Sequence, residues 1–121
     1  MQMLTRNPAA AYRRVELDAR IEASGSADLT RLCLEEAWAA LGQALIALDR
    51  PQGAVRAALA RGQSIMLWLA RSVDPAHPLH GSLVQFYGGL ASQIGANLLQ
   101  ADAGAIDRIR NDIRDLLTAA G

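Results

Sequence analysis

The chain lacks several features that would assign it to a specialised class of protein. Its 121 residues contain no lysine, one cysteine, two tryptophans, two tyrosines and one phenylalanine. A single cysteine, Cys33, cannot form an intramolecular disulfide, so no oxidising compartment is implied. The longest apolar run, residues 65–70, is far shorter than the roughly 20 residues of a membrane span, and no signal-peptide pattern is visible. We therefore expect a cytoplasmic protein without membrane insertion.

The charges of the chain are balanced. Twelve basic residues, all arginine, face twelve acidic residues, and the formal net charge is zero. A balanced surface gives no reason to expect a phosphate-rich partner, so we expect no binding to nucleic acid. Because a net charge of zero gives little electrostatic repulsion between copies, homodimer formation remains an open alternative.

The apolar residues recur at helical spacing. Hydrophobic residues make up 51% of the chain, and steps of three and four residues predict helices over 27–48, 52–73, 79–100 and 105–119. Breaks containing Pro or Gly separate these helices. The fold class is therefore predicted to be all-α, an antiparallel four-helix bundle over 27–119 in a single domain spanning 1–121. Residues 1–22 are expected to form a mobile N-terminal cap with a short helix over 8–21.

No pattern of catalytic or metal-binding residues stands out. His77 and His80 supply at most half of a zinc site. Cys33 lies on an apolar helix face, which is typical of a small core residue. Glu35 and Glu36 are adjacent on a helix and so point in different directions. We expect a protein that is not an enzyme, with no catalytic residue, no metal and no cofactor.

Three of the predicted helices are apolar over more than one face, which exceeds what a closed bundle needs. Such an excess is typical of a groove, a dimer seam or a surface for a helical guest. The residues that the helix faces indicate for this surface are Leu29, Leu32, Cys33, Leu41, Ile65, Trp68, Leu69, Leu83, Phe86, Tyr87, Leu90 and Asn97.

The order of short motifs is similar to that of one known family. Ala11-Tyr12 precedes Ile21-Glu22-Ala23-Ser24, and the segment 27–32 opens a long helix. Further on, the segment 83–97 holds Phe86-Tyr87 and ends in Ala96-Asn97, ahead of a last amphipathic helix. In this order the chain resembles the flagellin-specific export chaperones of the FliS family. It departs from the family pattern at Ser26, Arg31 and Gly88, and it lacks the family's terminal Trp.

The resemblance implies a function and partners. Members of this family bind the C-terminal segment of flagellin in the cytoplasm, prevent premature polymerisation and deliver it to the flagellar type III export apparatus. By the same resemblance, Tyr12 would plug the binding surface when the client is absent, and a component of the export gate is a further candidate partner.

Two other interpretations remain open. Leu67-Trp68, followed by the Pro-containing segment 74–79, is similar to FlaF, a regulator of flagellin assembly. Alternatively, the chain is a self-associating helical bundle without a client.

Overall fold

Four α-helices make up most of the part of the chain that the computed structural model describes, residues 26–120. These helices are α1 (Ser26–Ile46), α2 (Gln52–Ser72), α3 (His80–Leu99) and α4 (Ala103–Ala120), and a short 3-10 helix, Ala47–Asp49, follows α1. Residues 26–120 contain no β-strand. The four helices pack as an all-α bundle, which confirms the predicted fold class, and their ends lie within about two residues of the predicted ones.

Two predictions concern the N-terminal region of the chain. The short helix over 8–21 and the cap over 1–22 lie outside the described residues. The chain divides between Leu32 and Cys33 into two units, and the contacts discussed below all lie within the second. The single-domain organisation stays a prediction.

The connection between α1 and α2 is set by Pro51. The residue before a proline is disfavoured in the helical region, and Arg50 is accordingly extended, with φ −114° and ψ 177°. The Arg50 N–H donates to the carbonyl of Ala47 at 2.9 Å, which ends the 3-10 turn. Pro51 immediately precedes α2 with φ −52°, within the narrow range that its ring allows.

The connection between α2 and α3 is held by two side chains. The Asp74 carboxylate accepts the Ala76 N–H at 2.9 Å, and the Asp74 carbonyl accepts the His77 N–H at 2.9 Å. The His77 Nδ1 then accepts the Leu79 N–H at 2.9 Å, directly before α3. The Nδ1 atom of His77 therefore stabilises the backbone of the turn as a hydrogen-bond acceptor.

The connection between α3 and α4 is tied by Asn97. Its Nδ2 donates to the Gln93 carbonyl at 3.0 Å, and its Oδ1 accepts the Asp102 N–H at 2.9 Å. The Asp102 carboxylate in turn accepts the Ala105 N–H at 3.0 Å. A carboxylate in this place caps a helix and interacts favourably with its dipole, so α4 begins at Ala103, two residues before the predicted start.

The core lies where the middle of α2 meets α1 and α3. A Cβ placed on Gly62 of α2 would lie 3.5 Å from Leu41 Cδ2 of α1 and 3.8 Å from Ile94 Cδ1 of α3. Burial of side chains at this level supplies most of the stability of such a bundle. The largest fully buried side chains are Leu34, Leu41, Leu59, Met66, Leu90, Ile94, Ile106, Ile109 and Ile113.

Two polar contacts flank this core. Arg61 of α2 forms an ion pair with Glu36 of α1. On the other side of α1, the Arg110 guanidinium of α4 lies 3.7 Å from the centre of the Trp38 ring, and its Nε donates to the Trp38 carbonyl at 3.2 Å. The same guanidinium passes so close to Gly42 that a Cβ there would lie 2.8 Å from its Nη2. Arg110 therefore joins α4 to α1.

Candidate binding surface

The residues that the helix faces indicated for a partner surface divide by exposure. Those with buried side chains are Leu32, Cys33, Leu41, Leu69, Tyr87, Leu90 and Asn97. Those with exposed or half-buried side chains are Leu29, Ile65, Trp68, Leu83 and Phe86, and Tyr12 lies outside the described residues. A partner that docks on the closed bundle therefore meets the second group. The buried group is already engaged in internal packing.

The first apolar strip runs along α3 and is defined by Leu79, Leu83 and Phe86, the α3 strip. Leu83 and Phe86 stand three residues apart on α3 and share one helix face. Leu79 lies directly before the helix, and its carbonyl accepts the Leu83 N–H at 2.9 Å. Leu79 is 58% exposed and Phe86 is 41% exposed, while Leu83 is half-buried. The sequence does not single out Leu79, because this residue stands at the loop boundary, where its direction depends on how α3 begins.

The α3 strip faces away from α2. The Gln63 side chain of α2 donates to the Ala91 carbonyl at 3.3 Å, and its Nε2 would lie 2.6 Å from a Cβ on Gly95. Gly95 follows Phe86 by nine residues, which is two and a half helical turns, so the two residues point to opposite sides of α3. Phe86 therefore lies on the opposite flank of α3.

The second apolar strip lies on α2 and consists of Ile65 and Trp68, the α2 strip. Trp68 is 37% exposed and stands seven residues after Arg61, on the same helix face. Because Arg61 pairs with Glu36 of α1, this strip lies on the side of α2 towards α1. The structure thus places Trp68 and Phe86 near the same end of the α2–α3 hairpin but on opposite flanks of it.

Phe86 is supported from inside the bundle. Its ring centre lies 6.5 Å from that of Tyr87, with the ring planes inclined at 59°, within the range of favourable tilted aromatic pairs. Tyr87 itself is buried, and burial raises the pKa of its phenol because the charged form would lose water. The outer ring therefore rests on an inner ring that is neutral at physiological pH.

Cys33 is a structural thiol in this geometry. Its side chain is buried, and burial raises the pKa of the thiol, with the nearby charge of Glu36 raising it further. A nucleophilic cysteine requires the opposite, a lowered pKa and an exposed sulfur. The thiol is therefore protonated at neutral pH and inaccessible.

Three further observations concern ligands. A recess between α2 and α3, beside Leu59 and Asn97, has room for about one water molecule. Within residues 26–120, no three His, Cys, Asp or Glu side chains are grouped so that they would hold a metal ion. None of the helices in that range has both the length and the hydropathy needed to cross a bilayer.

The structure thus defines a protein of the all-α bundle class with two apolar strips on its surface. No protein-family model and no curated protein matches the chain. The resemblance to the FliS family stays a prediction from the order of motifs in the sequence.

Proposed function

We propose that this protein is a cytoplasmic export chaperone of the FliS type, which binds the C-terminal segment of flagellin and delivers it to the flagellar type III export apparatus. The support is the motif order along the chain together with the bundle of four helices. The observation that carries the proposal is the α3 strip. Leu79, Leu83 and Phe86 present apolar contacts at the i, i+4, i+7 spacing that suits an amphipathic helical guest.

The physical logic concerns a client that must not assemble early. A segment that is disordered until it polymerises can fold as a helix against the exposed Leu79 and Phe86 side chains, which removes apolar surface of both partners from water. Folding on binding costs about 2–5 kcal/mol of the gross interaction energy. This cost keeps the complex reversible, as a chaperone that releases its client at the export gate requires.

The test is calorimetry of the full chain with a peptide of the flagellin C-terminal segment, with three variants in parallel. The wild-type chain is expected to form a 1:1 complex at micromolar concentration. Phe86→Ala and Trp68→Ala are expected to weaken it about tenfold or more, since truncating an aromatic anchor at an interface costs about 1–2 kcal/mol or more. Ile46→Ala is the matched control, because Ile46 is 62% exposed but lies at the C-terminal end of α1, outside both strips.

The possible outcomes test the proposed function and the proposed binding surface separately. Absence of any complex with the wild-type chain would reject the chaperone proposal. A complex that all three variants weaken equally would reject the two strips as its site. Circular dichroism of each variant verifies that the bundle is intact.

The role of Tyr12 has its own test. If residues 1–14 act as a plug, deleting them leaves the bundle folded and does not weaken binding of the peptide. Loss of helical signal on deletion would show that these residues are needed for folding.

A further inference from the structure

The turn between α2 and α3 contains the same hydrogen-bond motif twice. In the first copy, the Asp74 carboxylate accepts the Ala76 N–H at 2.9 Å. In the second copy, the Nδ1 atom of His77 accepts the Leu79 N–H at 2.9 Å. In both copies a proline stands between the two residues, and proline has no N–H of its own. Each side chain therefore accepts the next backbone donor along the chain.

The backbone of the turn repeats in the same way. The carbonyl of Asp74 accepts the His77 N–H at 2.9 Å, and the carbonyl of His77 accepts the His80 N–H at 3.0 Å. His80 is the first residue of α3, and the side chain of the residue before it, Leu79, makes no capping hydrogen bond. His77 therefore supplies both a ring acceptor and a carbonyl acceptor where α3 begins.

The two copies differ in how their side-chain acceptors respond to pH. A carboxylate has an ordinary pKa of about 4, so it remains an acceptor from about pH 8 to about pH 5. An imidazole ordinarily takes up a proton within that range, and a ring that is protonated on both nitrogens can only donate. A protonated His77 would therefore present a donor to the Leu79 N–H. Its positive charge would also lie at the N-terminal end of α3, where the helix dipole disfavours a cation.

Leu79 is held on both sides by this network. Its N–H is bound by His77, and its carbonyl accepts the Leu83 N–H of α3 at 2.9 Å. The side chain of Leu79 is 58% exposed, so packing contributes little to holding it. Loss of the bond to His77 therefore removes one of the two hydrogen bonds that restrain the backbone of Leu79.

The surroundings of His77 allow its charge to change. The side chain is exposed, so water reaches the ring. The charged and titratable side chains of the adjoining segments are Arg71 at the end of α2, Asp74 in the turn, His80 at the start of α3, and Arg114 and Asp115 near the end of α4, which runs back along α3. Among the described residues, none of these forms an ion pair with His77.

We propose that the turn between α2 and α3 is a pH-sensitive device, in which the neutral ring of His77 fixes Leu79 at the start of α3 and the protonated ring releases it. The first copy of the motif, on Asp74, keeps its hydrogen bond over the same range of pH. The release is local, because one hydrogen bond of an exposed turn is lost and the four helices stay packed.

The test is amide hydrogen exchange of the full chain, followed by NMR at about pH 7.5 and about pH 5.5, on either side of the range in which histidine ordinarily titrates. After correction for the intrinsic pH dependence of exchange, the protection of the Leu79 N–H is expected to fall about three- to tenfold at the lower pH, which corresponds to the loss of one hydrogen bond. The protection of the Ala76 N–H is expected to stay the same. Equal protection of Leu79 at both pH values, or an equal fall at Ala76, would overturn the proposal.

Three variants separate the ring of His77 from its neighbours. His77→Asn offers an amide oxygen in place of Nδ1, which accepts at every pH, so the Leu79 N–H should stay protected at both pH values. His77→Ala removes the acceptor, so protection should be low at both. His80→Gln removes the other histidine of the turn and should leave the pH dependence unchanged. A pH dependence that persists in His77→Asn, or that disappears in His80→Gln, would assign the effect to another group and overturn the proposal.

A consequence for partner binding rests on the proposed function, because Leu79 belongs to the α3 strip. Fixing a released Leu79 again adds an ordering cost to binding, so the wild-type chain should bind the flagellin peptide about threefold more weakly at about pH 5.5 than at about pH 7.5. His77→Asn should bind without this difference, and a difference of the same size in that variant would contradict the role of His77. A peptide that does not bind at all would reject the proposed function, whereas the exchange measurements on the free chain decide the pH-sensitive device separately.

Discussion

The contact between Arg110 and Gly42 allows a prediction in which the same substitution has opposite effects in two backgrounds. Gly42 lies within α1, where alanine is favoured over glycine by about 1 kcal/mol. In the native chain, however, a Cβ at Gly42 would lie 2.8 Å from Arg110 Nη2. The guanidinium must then shift, and a shift away from Gly42 weakens its contacts with the Trp38 ring and carbonyl.

The magnitude follows from what Arg110 would lose. A cation–π contact at a partly exposed site contributes about 0.5–1 kcal/mol, and the hydrogen bond to the Trp38 carbonyl contributes about 1 kcal/mol. Gly42→Ala therefore gains about 1 kcal/mol and loses up to about 2 kcal/mol, so we expect a net loss of up to about 1 kcal/mol in the wild-type background. In an Arg110→Ala background nothing is displaced, and Gly42→Ala is expected to stabilise by about 1 kcal/mol.

The assay is urea unfolding followed by circular dichroism, applied to the wild type, both single variants and the double variant. The cycle gives the coupling energy between the two positions without apportioning each contact. We expect a coupling of about 1–2 kcal/mol. A Gly42→Ala variant that stabilises equally in both backgrounds would refute the placement of Arg110 across α1.

Two further predictions concern the α3–α4 turn and the dependence on pH. Asn97→Ala is expected to lower the free energy of unfolding by about 1–3 kcal/mol, because the turn loses both amide hydrogen bonds. A variant as stable as the wild type in urea unfolding would contradict this role. Burial raises the pKa values of Cys33 and Tyr87 above their ordinary values of 9.0 and 10.0, so the folded state holds these protons more tightly than the unfolded state. Stability should be full below about pH 9 and fall as the pH rises through the two raised values. Cys33→Ala should remove the part of the fall that begins near pH 9, and stability that increases over this range would refute the assignment.

The four helices could be predicted from the sequence because their apolar residues keep a period near 3.6 over long segments. Most of the predicted helix ends differ from the observed ones by one or two residues, because single side chains determine where a helix begins or ends. The Asp102-Ala103-Gly104 segment is typical of a turn by composition, yet the Asp102 carboxylate caps α4 and draws the next two residues into the helix. Periodicity does not contain this information, since it depends on where Asn97 places the backbone of the turn.

The candidate surface was harder to predict than the fold. Leu41 and Leu90 are as apolar in sequence as Leu79 and Phe86, but the first two are buried in the core and the last two are exposed. On a helix that is apolar over much of its circumference, the sequence does not show which flank meets a neighbour. That distinction comes from packing, and here it depends on contacts such as the one between Gln63 and Gly95.

The contact of Arg110 with Trp38 also constrains the order in which the chain can fold. The hydrogen bond joins residues 72 positions apart, so its formation must overcome the entropy of closing a long loop. On a ribosome, α1 emerges well before α4, and Trp38 has no cation above it until the last helix has been synthesised. Docking of α4 on α1 therefore follows the synthesis of both helices, and the fluorescence of Trp38 would report its timing.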